Sequence, residues 1–331
     1  MKLFLIIFAF PFFAVDASDP DYTKLYKEMR KGILAKGYGS IPAKLWEEVS
    51  NFNKAGEKWC FVGDSGVATK AQQKVKGELI DGEKCNRIFH LGDLVYPIGI
   101  KSIRDPALKT RFLDYHSPFK VPYYIVMGDH EYYAQLVSPW LKVAQENQNL
   151  EFPFYFYGKK FGGGCVIAAD TTIFYRGKPG DPKIKEQLDW FKNYIQPRLN
   201  NCKTKILIAH HSYATMNEKR RPPKKEYKKQ LRNFFEKFVL GKFDLILSGH
   251  DHALAYVGNF KGTEQYITGA GGKYTKASDM RMDFKNHIGH KGPGLITLDI
   301  SKFDSLKMNL SILALEGDNL DKKRIIFSKK Y

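Results

Sequence analysis

Short apolar runs recur along this chain, and each is followed at once by a residue able to bind a cation. Trp59-Cys60-Phe61-Val62 leads into Gly63-Asp64, Arg87 to Leu91 into Gly92-Asp93, and Tyr123 to Met127 into Gly128-Asp129. Lys205 to Ala209 leads into His210-His211, and Phe243 to Leu247 into Ser248-Gly249-His250-Asp251-His252. Such runs, bounded by turn residues, read as buried strands. The pattern predicts strand 58–63, helix 67–80, strand 87–92, helix 105–116 and strand 122–128. That is a β-α-β-α-β unit of the α/β class with right-handed crossovers. Further strands are expected at 153–157, 164–169, 204–209, 243–248, 264–268, 294–300 and 305–315, and further helices at 182–199 and 226–240.

Open α/β sheets place their sites at the C-terminal ends of strands. One aspartate after glycine is an ordinary turn or helix cap, and a lone His-x-His pair sits as readily in a core or on a surface. Five strand tips that each deliver an oxygen or nitrogen donor carry more weight. Carboxylate oxygens suit hard cations and imidazole suits transition metals, so the five jointly predict a metal site. The glycine before His250 is expected to let the backbone turn, so that the imidazoles of His250 and His252 converge. No serine, cysteine or lysine stands in an arrangement suited to covalent catalysis, and Ser65 reads as a turn residue.

Met1 to Ala17 has one lysine, Lys2, then an apolar run from Leu3 to Val15 and the small-residue pattern Val15-Asp16-Ala17. A bilayer span takes about 20 residues, so residues 1–17 read as a cleaved secretory signal rather than a transmembrane anchor. The expected location is extracellular, periplasmic or the lumen of the secretory pathway. Residues 18–55 read as an N-terminal helical extension and residues 56–331 as one catalytic domain. The four cysteines, Cys60, Cys85, Cys165 and Cys202, admit two bridges in any of three pairings or stand as buried thiols. The absence of a Cys-x-x-Cys spacing disfavours a structural zinc.

The formal net charge of +18 favours anionic partners. No specific nucleic-acid motif accompanies it. The basic loop from Glu218 to Lys225 runs into an amphipathic helix carrying Tyr227, Leu231, Phe234, Phe235 and Phe238. It reads as a solvated basic face or as a rim attracting phosphorylated substrates.

Gly63-Asp64-Ser65-Gly66, Gly92-Asp93-Leu94-Val95-Tyr96, Gly128-Asp129-His130-Glu131, His210-His211 and Gly249-His250-Asp251-His252 resemble, in order, the five blocks of the calcineurin-like metallophosphoesterases. Tyr96, three residues after Asp93, narrows the resemblance to the purple acid phosphatases. The phrase from Leu247 to Tyr256, followed by Thr268-Gly269-Ala270-Gly271-Gly272, is similar to the small tartrate-resistant type. The resemblance extends over residues 58–315 and implies a metallophosphoesterase β-sandwich flanked by helices on both faces.

The resemblance also implies two metal ions. Iron at the first site would be held by Asp64, Asp93, Tyr96 and His252. Iron, zinc or manganese at the second would be held by Asp93, Asp129, His210 and His250, with Asp93 bridging and His211 an alternative to His210. His130 would contact the phosphate or protonate the leaving group. The implied activity is acid-phosphatase-like hydrolysis of phosphomonoesters, on small molecules or proteins, by in-line attack of metal-bound hydroxide. The rivals are a phosphodiesterase of the same superfamily and a non-catalytic secreted protein that binds metal or phosphate. Two departures stand out: Asp129 replaces the family's asparagine, and the histidine expected several residues after His210 is missing. The extra negative charge of Asp129 is expected to move the activity optimum toward neutral pH.

Overall fold

The computed structural model describes residues 38, 45–53, 56–134, 137–216, 229–274, 287–302 and 307–331. The expected signal, most of the N-terminal extension and the basic loop lie outside the described residues.

Fifteen strands form two sheets among the described residues. They are β1 (Trp46–Glu48), β2 (Glu57–Val62), β3 (Arg87–His90), β4 (Tyr123–Ile125), β5 (Leu150–Glu151), β6 (Tyr157–Phe161), β7 (Gly164–Ala169), β8 (Thr204–Ala209), β9 (Leu245–Ser248), β10 (Leu254–Phe260), β11 (Thr263–Thr268), β12 (Ile288–His290), β13 (Gly294–Lys302), β14 (Lys307–Glu316) and β15 (Lys322–Lys330). One sheet runs β15-β14-β13-β2-β3-β4-β5, parallel from β2 to β5 and antiparallel beyond. The other runs β1-β6-β7-β8-β9-β11-β10-β12, parallel from β7 through β8 and β9 to β11.

Helices flank this sandwich: α1 over residues 70–81, α2 over 106–116, α3 (Asp129–Tyr133), α4 (Pro139–Glu146), α5 (Thr171–Arg176), α6 over 182–199 and α7 over 229–239. Several begin where local chemistry dictates. Asp105 accepts from the Ala107 N–H at 3.0 Å with Pro106 opening α2, and Asp181 accepts from Lys183 N–H at 3.1 Å with Pro182 opening α6.

The sheets meet across an aromatic core. Phe89 stacks between Phe61 and Tyr124, with ring centroids 4.9 and 4.8 Å away. Trp59 of the same sheet meets Phe161 of the other at 4.8 Å. Each sheet carries one disulfide: Cys60–Cys85 ties β2 to the turn before β3, and Cys165–Cys202 ties β7 to the turn before β8.

Two expectations need correction. Residues 46–48, placed in a helical extension, form β1 instead. The backbone at both ends of this segment is claimed by β6, with Gly158 N–H donating to Leu45 at 2.7 Å and Val49 N–H to Lys160 at 2.8 Å. Sheet pairing thereby overrides the helical spacing of Leu45 and Val49. The strand expected at 153–157 lies at Tyr157–Phe161, while Phe152, Phe154 and Phe156 are buried as packing ahead of it.

Candidate metal centre

The tips of β2, β3 and β4 from one sheet and of β8 and β9 from the other end at a common seam. Gly63 N–H donates to Thr268 at 2.8 Å across it, Asp64 N–H donates to Gly92 at 3.0 Å, and His250 N–H donates to Asp64 Oδ2 at 2.8 Å. The glycines make this approach possible. A Cβ on Gly128 would lie 2.2 Å from Asp93 Oδ1, and one on Gly249 would lie 2.6 Å from Asp64 Oδ2 and 2.9 Å from the Leu91 carbonyl. Gly249 itself has no left-handed backbone. The turn is made by the donors: Asp64, Asp93 and His250 have φ of 58°, 56° and 65°. Three non-glycine residues in that sparsely populated region mark a site where structure overrides local preference.

Two donor groups result. Three atoms converge on the Tyr96 hydroxyl: Asp93 Oδ2 at 2.6 Å, Asp64 Oδ1 at 3.0 Å and His252 Nε2 at 3.2 Å. Beside them, His210 Nε2 lies 3.3 Å from each of Asp93 Oδ1, Asp129 Oδ1 and His250 Nδ1. Asp93 thus turns one oxygen to each group. Apart from the 2.6 Å hydrogen bond between Tyr96 and Asp93, donor spacings of 3.0–3.5 Å match the edges of a coordination shell of radius about 2.1 Å. The oxygen and imidazole donors, nearly all buried, fit a pair of transition-metal cations.

The electrostatics point the same way. Burial alone would lower the basicity of His210, but Asp93, Asp129 and Asp64 outweigh it and push its pKa up to about 10. That potential is what bound cations would discharge. Burial would raise the Asp129 carboxyl, yet Arg176, His250 and His210 hold it well below the usual range. Burial, then Asp93, pushes Glu131 up to about 8 against the pull of its N–H partners. His210 donates through Nδ1 to the Leu91 carbonyl at 2.8 Å, which fixes the tautomer and turns Nε2 toward the carboxylates.

His130 borders both donor groups and itself clusters with Asp93 and Asp129. Its Nδ1 bonds the Pro97 carbonyl and its Nε2 lies 3.8 Å from Asp93 Oδ2. Burial lowers its pKa, partly offset by Asp93 and Asp129. His211 shares the neighbourhood of Asp129, His210 and His250. Its ring stacks on Tyr175 at 4.1 Å and its N–H donates to Thr171 Oγ1 at 2.9 Å.

Several residues escaped the sequence reading. The buried Glu131 accepts from the N–H groups of Asp93, Leu94 and Gly128 at 2.8–2.9 Å and of Val95 at 3.2 Å, binding two tips together. It stands inside the Gly128-Asp129-His130-Glu131 block, where a capping role was legible. Arg176, on the last turn of α5, pairs with Asp129 Oδ2. Lys273 holds its ammonium 4.4 Å from the centre of the Tyr96 ring. Neither lone cation had a motif to announce it.

The fold and this paired donor site define a metal-dependent phosphoesterase. Residues 58–254 match the calcineurin-like phosphoesterase family, and the chain belongs to it. It is 25% identical over 295 residues to purple acid phosphatase 4 of Arabidopsis thaliana, covering 78% of this chain and 80% of the relative. It is 24% identical over 304 residues to human tartrate-resistant acid phosphatase type 5, covering 81% and 90%. Among solved structures, GAP50, the anchor in the inner membrane complex of Plasmodium, superposes with a TM-score of 0.65 at 17% identity, over 84% of this chain and 89% of that one.

Proposed function

We propose that this chain is an exported binuclear phosphatase that hydrolyses phosphomonoesters. The observation that carries the reading is the split carboxylate of Asp93, with Oδ2 among Asp64, Tyr96 and His252 and Oδ1 against His210. Asp64, Asp93, Tyr96 and His252 would hold the first cation, iron by the phenolate donor. Asp93, Asp129, His210 and His250 would hold the second. His210 is preferred to His211 because its Nε2 reaches both Asp93 and Asp129 at 3.3 Å. Bound there, the two cations supply charge neutralisation on the phosphate and activation of water. His130 Nε2 faces the site and is placed to give a proton to the leaving oxygen. Lys273 adds a positive charge beside Tyr96, in a site that lacks the family's further histidine. Export is supported by the apolar leader and by two disulfides, which persist in oxidising compartments. No described helix is long and apolar enough to cross a membrane.

The test is metal analysis of the purified chain beside hydrolysis of an aryl phosphate and an aryl phosphodiester. Two metals per chain, one of them iron, and faster monoester turnover are expected. Asp93→Asn is the informative variant, since asparagine tolerates the left-handed backbone at this position. It should keep the fold, lose metal and lose at least a thousandfold in turnover. Full activity in Asp93→Asn would sink the two-metal reading, and faster diester turnover would assign the phosphodiesterase instead.

A further inference from the structure

Asp129 was expected to burden the second site with one negative charge more than an asparagine brings. The structure shows where that charge goes. Oδ1 of Asp129 faces His210 Nε2 at 3.3 Å and His250 Nδ1 at 3.5 Å, whereas Oδ2 turns away to the Arg176 guanidinium. Arg176 Nη2 also donates to the Tyr133 hydroxyl at 2.9 Å, and its guanidinium carbon lies 4.7 Å from the centre of the Tyr175 ring. Both charged side chains are nearly buried, at 5% and 13% exposure, so neither has water as an adequate alternative partner.

The pair rides on two short helices, Asp129 opening α3 and Arg176 closing α5. One buried carboxylate fastens both: Asp170 Oδ1 accepts from Thr172 N–H at 3.1 Å at the start of α5, and Asp170 Oδ2 accepts from the Tyr132 hydroxyl of α3. Tyr38 donates to the same oxygen at 2.6 Å. Tyr175, next to Arg176, packs edge-on against His250 at 5.2 Å.

We propose that Arg176 is a positioning residue of the second metal site: by taking Oδ2 of Asp129 it leaves that carboxylate one oxygen and almost no net charge to offer a cation, as an amide would. Asp129 and Arg176 then act as a unit that replaces a single asparagine. This inference rests on the two-metal reading above.

Zinc titration of the metal-stripped full chain by calorimetry tests it without reference to activity, using the parent, Asp129→Asn, Arg176→Gln and the double variant. The parent should take two zinc ions. Asp129→Asn strands a guanidinium beside the second ion and should weaken it at least thirtyfold. Arg176→Gln frees the full carboxylate charge and should tighten the second ion at least threefold. The double variant, which has no unpaired charge and should fold even if Asp129→Asn does not, should return to within threefold of the parent. A double variant that holds the second zinc thirtyfold more weakly than the parent, or an Arg176→Gln affinity equal to the parent's, would overturn the role of Arg176. A parent that takes fewer than two zinc ions would overturn the two-metal reading itself.

Discussion

Gly128 shows how narrow the tolerances of the centre are. Its α-carbon sits so close to Asp93 that a methyl group there would lie 2.2 Å from the carboxylate and 2.4 Å from the backbone nitrogen. The carboxylate could swing aside, but the backbone nitrogen could not. Gly128→Ala is therefore expected to lower stability by about 1–3 kcal/mol, the usual range for overpacking, and to displace Asp93 from one donor group. Urea unfolding with metal analysis would check both; an alanine variant with parental stability and two metals would refute the close approach. The glycines were visible in the sequence, but their reason was not. Gly249 reads as a hinge for the turning backbone, whereas the left-handed conformation there falls on His250, as it falls on Asp64 and Asp93 at two other tips. Only the distance between chains far apart in sequence distinguishes the two reasons.

At the scale of elements, the strands that feed the centre were legible because each carries a mainly apolar run buried on both faces. β1, β5 and β12, two or three residues each, are too short to carry a period, and β15 was hidden by its lysines. α5 was missed because Thr-Thr-Ile-Phe-Tyr-Arg has the composition of a strand. With α5 went Arg176, although Asp129, its partner, was singled out at once.

Helix α2 carries a different consequence. His116, at its end, bonds the Tyr123 hydroxyl of β4 at 3.0 Å and lies 3.4 Å from Ser65 Oγ, which in turn is 2.7 Å from His90 Nε2 of β3. Burial, with a smaller contribution from Lys76, lowers His116 to about 3, and burial also holds His90 well below its ordinary value. Between pH 6.5 and 3 the unfolded chain binds a proton at His116 that the folded chain refuses, so stability falls as pH falls through that window. The loss approaches about 1.4 kcal/mol per pH unit, or roughly 2–3 kcal/mol at pH 4.5. His116→Asn should shrink the difference between unfolding free energies at pH 7 and pH 4.5 by about 2 kcal/mol. An unchanged difference would show that His116 does not set it.

For the whole molecule, the covalent links and those that bound cations would add divide the work. Each disulfide lies within one sheet and closes 25 or 37 residues, which constrains the unfolded chain by about 3–4 kcal/mol apiece. Asp64, Asp93 and Asp129 come from one sheet and His210, His250 and His252 from the other. Cations held at the seam would therefore stabilise the folded state by mass action, by about 4 kcal/mol at a thousand times their dissociation constant. Hydrogen exchange on stripped and reloaded protein should show the change concentrated at residues 63–66, 92–96 and 249–252, with the strand centres unaffected. Uniform protection across both sheets would contradict that division.

If the chain is exported as proposed, this separation would fix an order of maturation. Thiol oxidation can finish each half as soon as its strands pair, without either half waiting for the other. The last fastening would need an ion that the compartment supplies, so a chain delivered where such ions are scarce would be covalently complete yet loose along one line. A protease would find it there first.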